Sequence, residues 1–314
     1  MGREISVAAR RRAWRQEVGR HLARRHDGVV RRSDLLAAGL TDHDVRAEVD
    51  RGVWHAAGRH TICIGTDRPR GEGLLWRAIW ESGPRAVLDG PSALLAAGLK
   101  HWEEPFVHVS LPRNATVTEV PGVRHHHLRE IGPAIPVGLR RTKPEVAVLR
   151  GAEWARSDRA ATTLVAMTVQ QRLVAPSAVL RRWSETARSR RRAVLDLVIR
   201  DVCDGAHSLN ELDVVRACRA RGLPEPSRQQ MRSTSTGTVY LDLFWDDYAV
   251  HAEVQGAHHL WGLTGVDDAV RGNAVAIGDR GVVSLQIPVL GWRLHPEVFL
   301  DQIAAALRES GWAA

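Results

Sequence analysis

Between Val239 and Val254 two strand-like stretches, Val-Tyr-Leu-Asp-Leu-Phe-Trp and Tyr-Ala-Val-His-Ala-Glu-Val, flank the turn-forming pair Asp246-Asp247. Apolar and polar positions alternating on both sides of a turn form the pattern of half-buried strands, so this stretch is expected to fold as an antiparallel hairpin. The hairpin fixes more than its own backbone. Cross-strand partners share a face, and so do residues two apart on one strand. Asp242 then lies across from His251 or from Glu253, depending on loop length, and under either register Asp242, His251, Glu253 and Gln255 point the same way. Two carboxylates on one sheet face need an explanation, because Asp is uncommon inside strands. A Mg²⁺ or Mn²⁺ ion held by both, with substrate phosphate completing its octahedron, supplies one.

Around the hairpin the elements read α, two or three β, α, β, α. Ser208-Leu-Asn-Glu211 has capping-box spacing and opens a helix to Arg221, closed by Gly222 and Pro224. A polar segment follows from Arg228 to Ser235. After the hairpin a helix runs from Val266 to Ile277, a strand from Val282 to Ile287, and a last helix starts at Pro296.

Glu211, Asp242, Glu253-Val-Gln255 and this order resemble the PD-(D/E)XK nuclease fold, and more closely a bacterial domain related to very short patch repair endonucleases. In that group a strand ending in Glu-x-Asp-Gly is followed by a histidine, and a later helix carries Asp-x-x-Arg-x-Asn. Here the matching residues are Glu253-Val-Gln-Gly256 with His259, then Asp268-Ala-Val-Arg271-Gly-Asn273. The resemblance implies that Asp242 and Glu253 hold the metal, that Glu211 reaches the site, and that His259 or Arg271 contacts phosphate or assists proton transfer. Gln255 departs from the pattern, which has aspartate there, or lysine in many nucleases of the wider fold. An amide can hydrogen-bond a water but cannot act as a base at neutral pH. The last lysine of the chain is Lys143, so no lysine later in the sequence can substitute. Simpler readings stand beside these: Glu211 as capping partner of Ser208, and Asp268 with Arg271 as an ion pair on one helix face.

From about residue 17 to 65 a different order is expected. A helix ends at Asp27-Gly28, a short one runs from Ser33 to Ala38, Gly39 breaks it, and Thr41 with Asp44 caps a third. Two short strand-like runs follow, Val53-Trp-His55 and Thr61 to Ile64. This is the order of a winged helix-turn-helix, whose third helix presents Asp42, His43, Arg46 and Asp50 outward, with His43 and Arg46 as the DNA-contacting candidates. The segment resembles the winged helix of abortive-infection type IV antitoxins, which occurs in front of this nuclease-like domain in actinobacterial proteins. Before it, Arg3, Arg10, Arg11, Arg12 and Arg15 read as a solvated basic arm or as a DNA-contacting one.

The middle region reads as strands at Phe106 to Leu111 and Val123 to Leu128, then four helices from Thr142 to Asp204 separated near Ser157, Pro176 and Ser189. His125 and His127 face one way along their strand and His126 the other, which argues against one metal centre. Arg188, Arg190, Arg191 and Arg192 read as a solvated face or as a phosphate clamp.

The formal net charge of +8 favours a polyanionic partner, nucleic acid first. Cys63, Cys203 and Cys218 are too scattered for a disulfide framework, which fits a reducing cytoplasm. No apolar run is long enough for a membrane span, and the N-terminal Met-Gly-Arg-Glu-Ile-Ser fits the N-myristoylation pattern only loosely. The expectation is a multidomain α+β / α/β chain in three parts: a basic arm and winged helix over 1–68, a mixed middle region over 69–204, and a restriction-endonuclease-like αβββαβ domain over 205–314. Two functions fit: a DNA-acting metal-dependent endonuclease, or a non-catalytic DNA-binding regulator of antitoxin type with a cognate toxin or other protein as partner.

Overall fold

The computed structural model describes residues 6–204, 211–233, 239–255, 269–273, 276–277, 283–288, 291–292 and 295–313, with 201–204, 211–213, 228–233, 239–242 and 255 placed by backbone alone. It is a mixed α+β chain in two compact units, 1–143 and 144–314. Among the described residues no helix is long and apolar enough to cross a membrane.

The first unit opens with α1 (Val7–Ala23), β1 (Val29–Arg31), α2 (Arg32–Ala37), α3 (Asp42–Asp50), β2 (His55–Ala56) and β3 (Thr61–Cys63). The strands form an antiparallel sheet in the order β1-β3-β2, with Val29 opposite Cys63 and Val30 opposite Ile62. Alternation divides these residues between two cores. Val30 and Ile62 pack with Ala23, Leu35, Leu40, Val45 and Trp54 from the helical side. Val29 and Cys63 pack instead with Trp80 of α4 (Gly71–Ser82). Hydrogen bonds reinforce the α4 contact. The Glu81 carboxylate accepts from the Arg59 and His60 N–H groups at 2.9 and 2.8 Å and from the Thr61 hydroxyl at 2.7 Å, so the β2–β3 loop is fastened down. Residues beyond 68 thus share cores and bonds with those before it.

After α4 come β4 (Val87–Leu88), α5 (Gly90–Ala96), β5 (Val107–Pro112), β6 (Val123–Leu128), β7 (Ala134–Ile135) and β8 (Arg141–Thr142), in a sheet of order β6-β5-β4-β8-β7. Its centre is the fully buried Asp89, the N-cap of α5. That carboxylate accepts from the Gly90 N–H (2.8 Å), the Ser110 hydroxyl (2.6 Å) and the Thr142 hydroxyl (2.7 Å), which ties the helix to strands on both sides. His125 and His126 are engaged on different partners, with Ser82 Oγ 2.8 Å from His125 and His108 Nδ1 2.9 Å from His126.

The second unit begins with four helices, α6 (Pro144–Trp154), α7 (Asp158–Gln170), α8 (Pro176–Ser184) and α9 (Arg192–Asp204), as the sequence pattern predicts. Then follow α10 (Glu211–Ala220), β9 (Arg228–Ser233), β10 (Val239–Trp245), β11 (Val250–Gln255), β12 (Val283–Pro288) and α11 (Pro296–Glu309), with residues 269–273 helical between β11 and β12. The polar segment at Arg228 is thus a third strand. The sheet order is β12-β11-β10-β9, antiparallel except for the β11–β12 pair. Leu243, Trp245, Val250, Ala252, Val254, Val283, Leu285 and Ile287 make its buried face, and α11 contributes Phe299, Leu300, Ile303 and Leu307 to the core. Arg221, just past α10, pairs with Glu297 and Asp301 of α11. Cys63 and Cys218 are buried free thiols, and burial pushes each up to about 11, so neither is a thiolate nucleophile at neutral pH.

One side chain finishes the sheet. Asn273 is buried, accepts from the Gln286 N–H at 2.7 Å and donates to the Gln286 carbonyl at 2.8 Å, so its amide pairs with β12 as another strand would. It also donates to Gln302 Oε1 of α11 at 2.9 Å. Removing it leaves three groups short of partners. Asn273→Ala is therefore expected to lower the stability of the second unit by about 2–3 kcal/mol, read by chemical denaturation. A loss below about 0.5 kcal/mol would show that the β12 edge is satisfied otherwise.

Candidate functional site

The hairpin register selects between the two pairings left open by the sequence. Asp242 stands opposite Glu253, and Phe244 opposite His251. The turn responsible is a 3-10 segment, Asp246–Tyr248, closed by Ala249 in the left-handed region at φ 49°. Ser227 pins it, its hydroxyl oxygen accepting from the Asp246 N–H at 2.9 Å.

Neighbouring strands extend the pair into a row. Gln230 of β9 stands opposite Asp242, and Gln286 of β12 opposite Glu253, so the row reads Gln230, Asp242, Glu253, Gln286. One step along are Arg228, Phe244, His251 and Ser284; one step the other way are Arg232, Tyr240, Gln255 and Pro288. The strand between each row supplies the buried apolar face, so this face is the polar one. Glu253 is half-buried, while Ser284 and Gln286 are exposed. The His251 ring stacks on Phe244 with centroids 4.6 Å apart, and its Nδ1 lies 3.1 Å from Ser284 Oγ. Gln230, Ser284 and Gln286 were not singled out in the sequence. The alternation of Val283-Ser-Leu-Gln-Ile287 already put Ser284 and Gln286 on one face; only the parallel register with β11 puts them beside His251 and Glu253.

The other expected residues fall as follows. Glu211 opens α10, whereas Ser208, its expected capping partner, lies outside the described residues, as do Gly256, His259 and Asp268. Gln255 ends β11 two residues from Glu253. Arg271 is exposed on the helical stretch 269–273. Among the described side chains no group of three or more His, Cys, Asp or Glu could hold a metal ion. Of the two residues expected to do so, Asp242 and Glu253, the side chain of Asp242 is not among those described. The donor chemistry of the row does suit a hard divalent cation, with two carboxylates flanked by neutral amides.

In the first unit, α3 carries the Thr41–Asp44 capping box expected from sequence, with Thr41 N–H donating to Asp44 at 3.0 Å and Asp44 N–H donating to Thr41 Oγ1 at 3.1 Å. Asp42, His43, Arg46 and Asp50 are exposed. The two acidic residues on the inner side are held by arginines. Asp44 lies 3.0 Å from Arg11 and 2.7 Å from Arg15, both on α1, while the fully buried Glu48 pairs with Arg15 at 2.9 Å and with Arg51. Asp42 is paired with Arg32 at 2.9 Å. What the sequence shows as an acidic helix therefore presents His43 and Arg46 outward with most of its carboxylates neutralised. Arg11 and Arg15 hold the fold, whereas Arg10 and Arg12 remain exposed.

No known family model matches the chain, and no curated protein matches it, so the resemblances rest on the residues and their order alone.

Hydrogen bonding from Arg11, then from Arg15 and Thr41, holds the Asp44 carboxyl well below the usual carboxylate range against the opposing effect of burial. A depressed folded-state value contributes stability that is complete above the unfolded value, about 3.9, and is lost as pH falls below it. Asp44→Asn is expected to destabilise the first unit by about 3 kcal/mol at neutral pH and to flatten its acid limb below about pH 4, measured by circular dichroism melts across pH. An acid limb as steep as that of the parent would assign the acid sensitivity to other carboxylates.

Proposed function

We propose that this chain acts on DNA and that its second unit carries a metal-dependent endonuclease-like site of PD-(D/E)XK type. The observation that carries this reading is the in-register pair Asp242–Glu253 on the polar face of a sheet with the element order α, β, β, β, α, β. Asp242 and Glu253 are the residues that would hold Mg²⁺ or Mn²⁺, which when bound polarises a phosphodiester and makes water a stronger nucleophile. Gln255, from the same face, orients water by hydrogen bonding without accepting its proton. Glu211 would reach the site from its helix, and His259 or Arg271 would contact phosphate or assist proton transfer.

A second reading is favoured by α3. In it residues 1–68 are a basic arm and winged helix of antitoxin type, His43 and Arg46 read DNA, and the nuclease-like domain over 205–314 is a non-catalytic platform, with a cognate toxin or another protein as partner. Supporting it are the inward neutralisation of Asp44 and Glu48 and the fastening of the β2–β3 loop by Glu81, which leave an exposed basic position, Arg46, on a firmly held helix.

Cleavage and binding separate the two. With Mg²⁺ or Mn²⁺ the parent chain is expected to cut duplex or single-stranded DNA, and Glu253→Ala to lose at least about 100-fold in rate while binding DNA normally in EDTA. Arg46→Ala should weaken binding to the chain's own promoter DNA by about tenfold. Intact DNA under all metal conditions, together with promoter binding lost in Arg46→Ala, selects the regulator.

A further inference from the structure

The turn joining α8 to α9 carries four of the chain's arginines within five residues, Arg188-Ser-Arg-Arg-Arg192, and its conformation sorts them into two sets. Ser189 and Arg191 are bonded back onto the protein. The Ser189 hydroxyl donates to the Glu153 carboxylate, whose other oxygen accepts from the Arg190 N–H at 3.3 Å. Arg191 pairs with Asp158 and donates to the Ala155 carbonyl at 2.6 Å. These bonds clamp the turn onto the connection between α6 and α7.

Arg188, Arg190 and Arg192 line an open concavity of about 680 Å³ together with Glu153, Ala187 and Ser189. Arg192 is braced, its guanidinium 4.6 Å above the Trp183 ring and its Nε 3.4 Å from Asp196. Arg188 and Arg190 are exposed, and among the described residues neither guanidinium is in a hydrogen bond or ion pair with the protein. The Glu153 carboxylate that shares the hollow is already engaged by Ser189 and the Arg190 N–H, and the three guanidinium groups outnumber it, so the hollow keeps a net positive charge that an anion would offset. The start of α9 at Arg192 adds a field of the same sign.

We propose that this concavity is a cradle for the phosphate backbone of a nucleic acid strand. Its openness and the spread of its cations argue against a site for a single small anion. Arg188 and Arg190 are two residues apart in a non-helical segment, so their backbone positions are roughly 6–7 Å apart, wide enough to address more than one phosphate. No exposed aromatic ring lines the hollow for a base to stack on, so the contact reads backbone and not sequence. The anchored turn supplies guanidinium groups already ordered, which lowers the entropic cost of gripping phosphate. The inference rests on the DNA reading above for its ligand class and is independent of whether the bond is hydrolysed.

The test uses the full chain in EDTA and two labelled duplexes of unrelated sequence, with fluorescence anisotropy followed over a salt series. Arg188→Ala/Arg190→Ala is expected to weaken binding about tenfold at low salt, equally for both duplexes, and to reduce the magnitude of the log affinity against log salt slope by about 2. Arg188→Lys/Arg190→Lys, which keeps the charges, should remain within about threefold of the parent. Unchanged affinity and slope in the alanine variant overturn the inference while leaving the DNA reading intact. A parent chain that binds neither duplex overturns both. Inorganic phosphate displacing the duplex at concentrations where sulfate of matched ionic strength does not, or a loss seen only with phosphatidylserine vesicles, assigns the concavity to a small anion or a membrane surface and overturns it as well.

Discussion

The two-residue period of a β-strand is the constraint on which the second unit depends. Over 243–245, 250–254 and 283–287 every second side chain is buried against the core, so a register slip of one residue would exchange Leu243, Ala252, Val254 and Leu285 for Asp242, His251, Glu253 and Ser284. Burying two unpaired carboxylates costs far more than any local turn preference can offset. The hydrophobic residues therefore fix where the polar ones stand. The site is a by-product of packing on the opposite face, and the 3-10 turn with its left-handed Ala249 adapts to a register set elsewhere.

Arginine governs the rest of the molecule in an analogous way. With hardly any lysine, the chain pairs many of its carboxylates, among them the buried Asp44 and Glu48, with guanidinium groups, whose rigid fork suits several acceptors at once. Arg15 spans Asp44 and Glu48, Arg221 spans Glu297 and Asp301, and Arg191 spans a carboxylate and a carbonyl. Sequence position does not reveal which arginines are engaged in this way. In the run at 188–192 Arg191 and Arg192 are engaged while, among the described residues, the guanidinium groups of Arg188 and Arg190 are not, and in the N-terminal arm Arg11 and Arg15 are engaged while, among the described residues, Arg10 and Arg12 are not.

Elements with a full period or a cap were legible before any coordinates. The Thr41 box, the bounds of β10, the four helices from Pro144 and the start of α11 at Pro296 all follow from local chemistry. Two-residue strands such as β4, β7 and β8 carry no period, and they exist only because neighbours pair with them. The strand β9, Arg-Gln-Gln-Met-Arg-Ser, lacks the β-branched and aromatic residues that mark a strand, and is recruited by the edge of β10. On the site, parity alone placed Asp242, His251, Glu253 and Gln255 together, whereas Gln286 and Ser284 needed the parallel register of a strand distant in sequence. The bonds from Glu81 to the β2–β3 loop were not legible either, since they join segments more than twenty residues apart.

The amide of Asn273 has a further consequence for the molecule in solution. Among the described strands β12 is outermost in its sheet, and an outer strand offers unpaired backbone groups to any passing chain. At Gln286 both of those groups are already taken by one side chain. A single asparagine thus works as a selvedge at that point, occupying the backbone groups that another strand would need there.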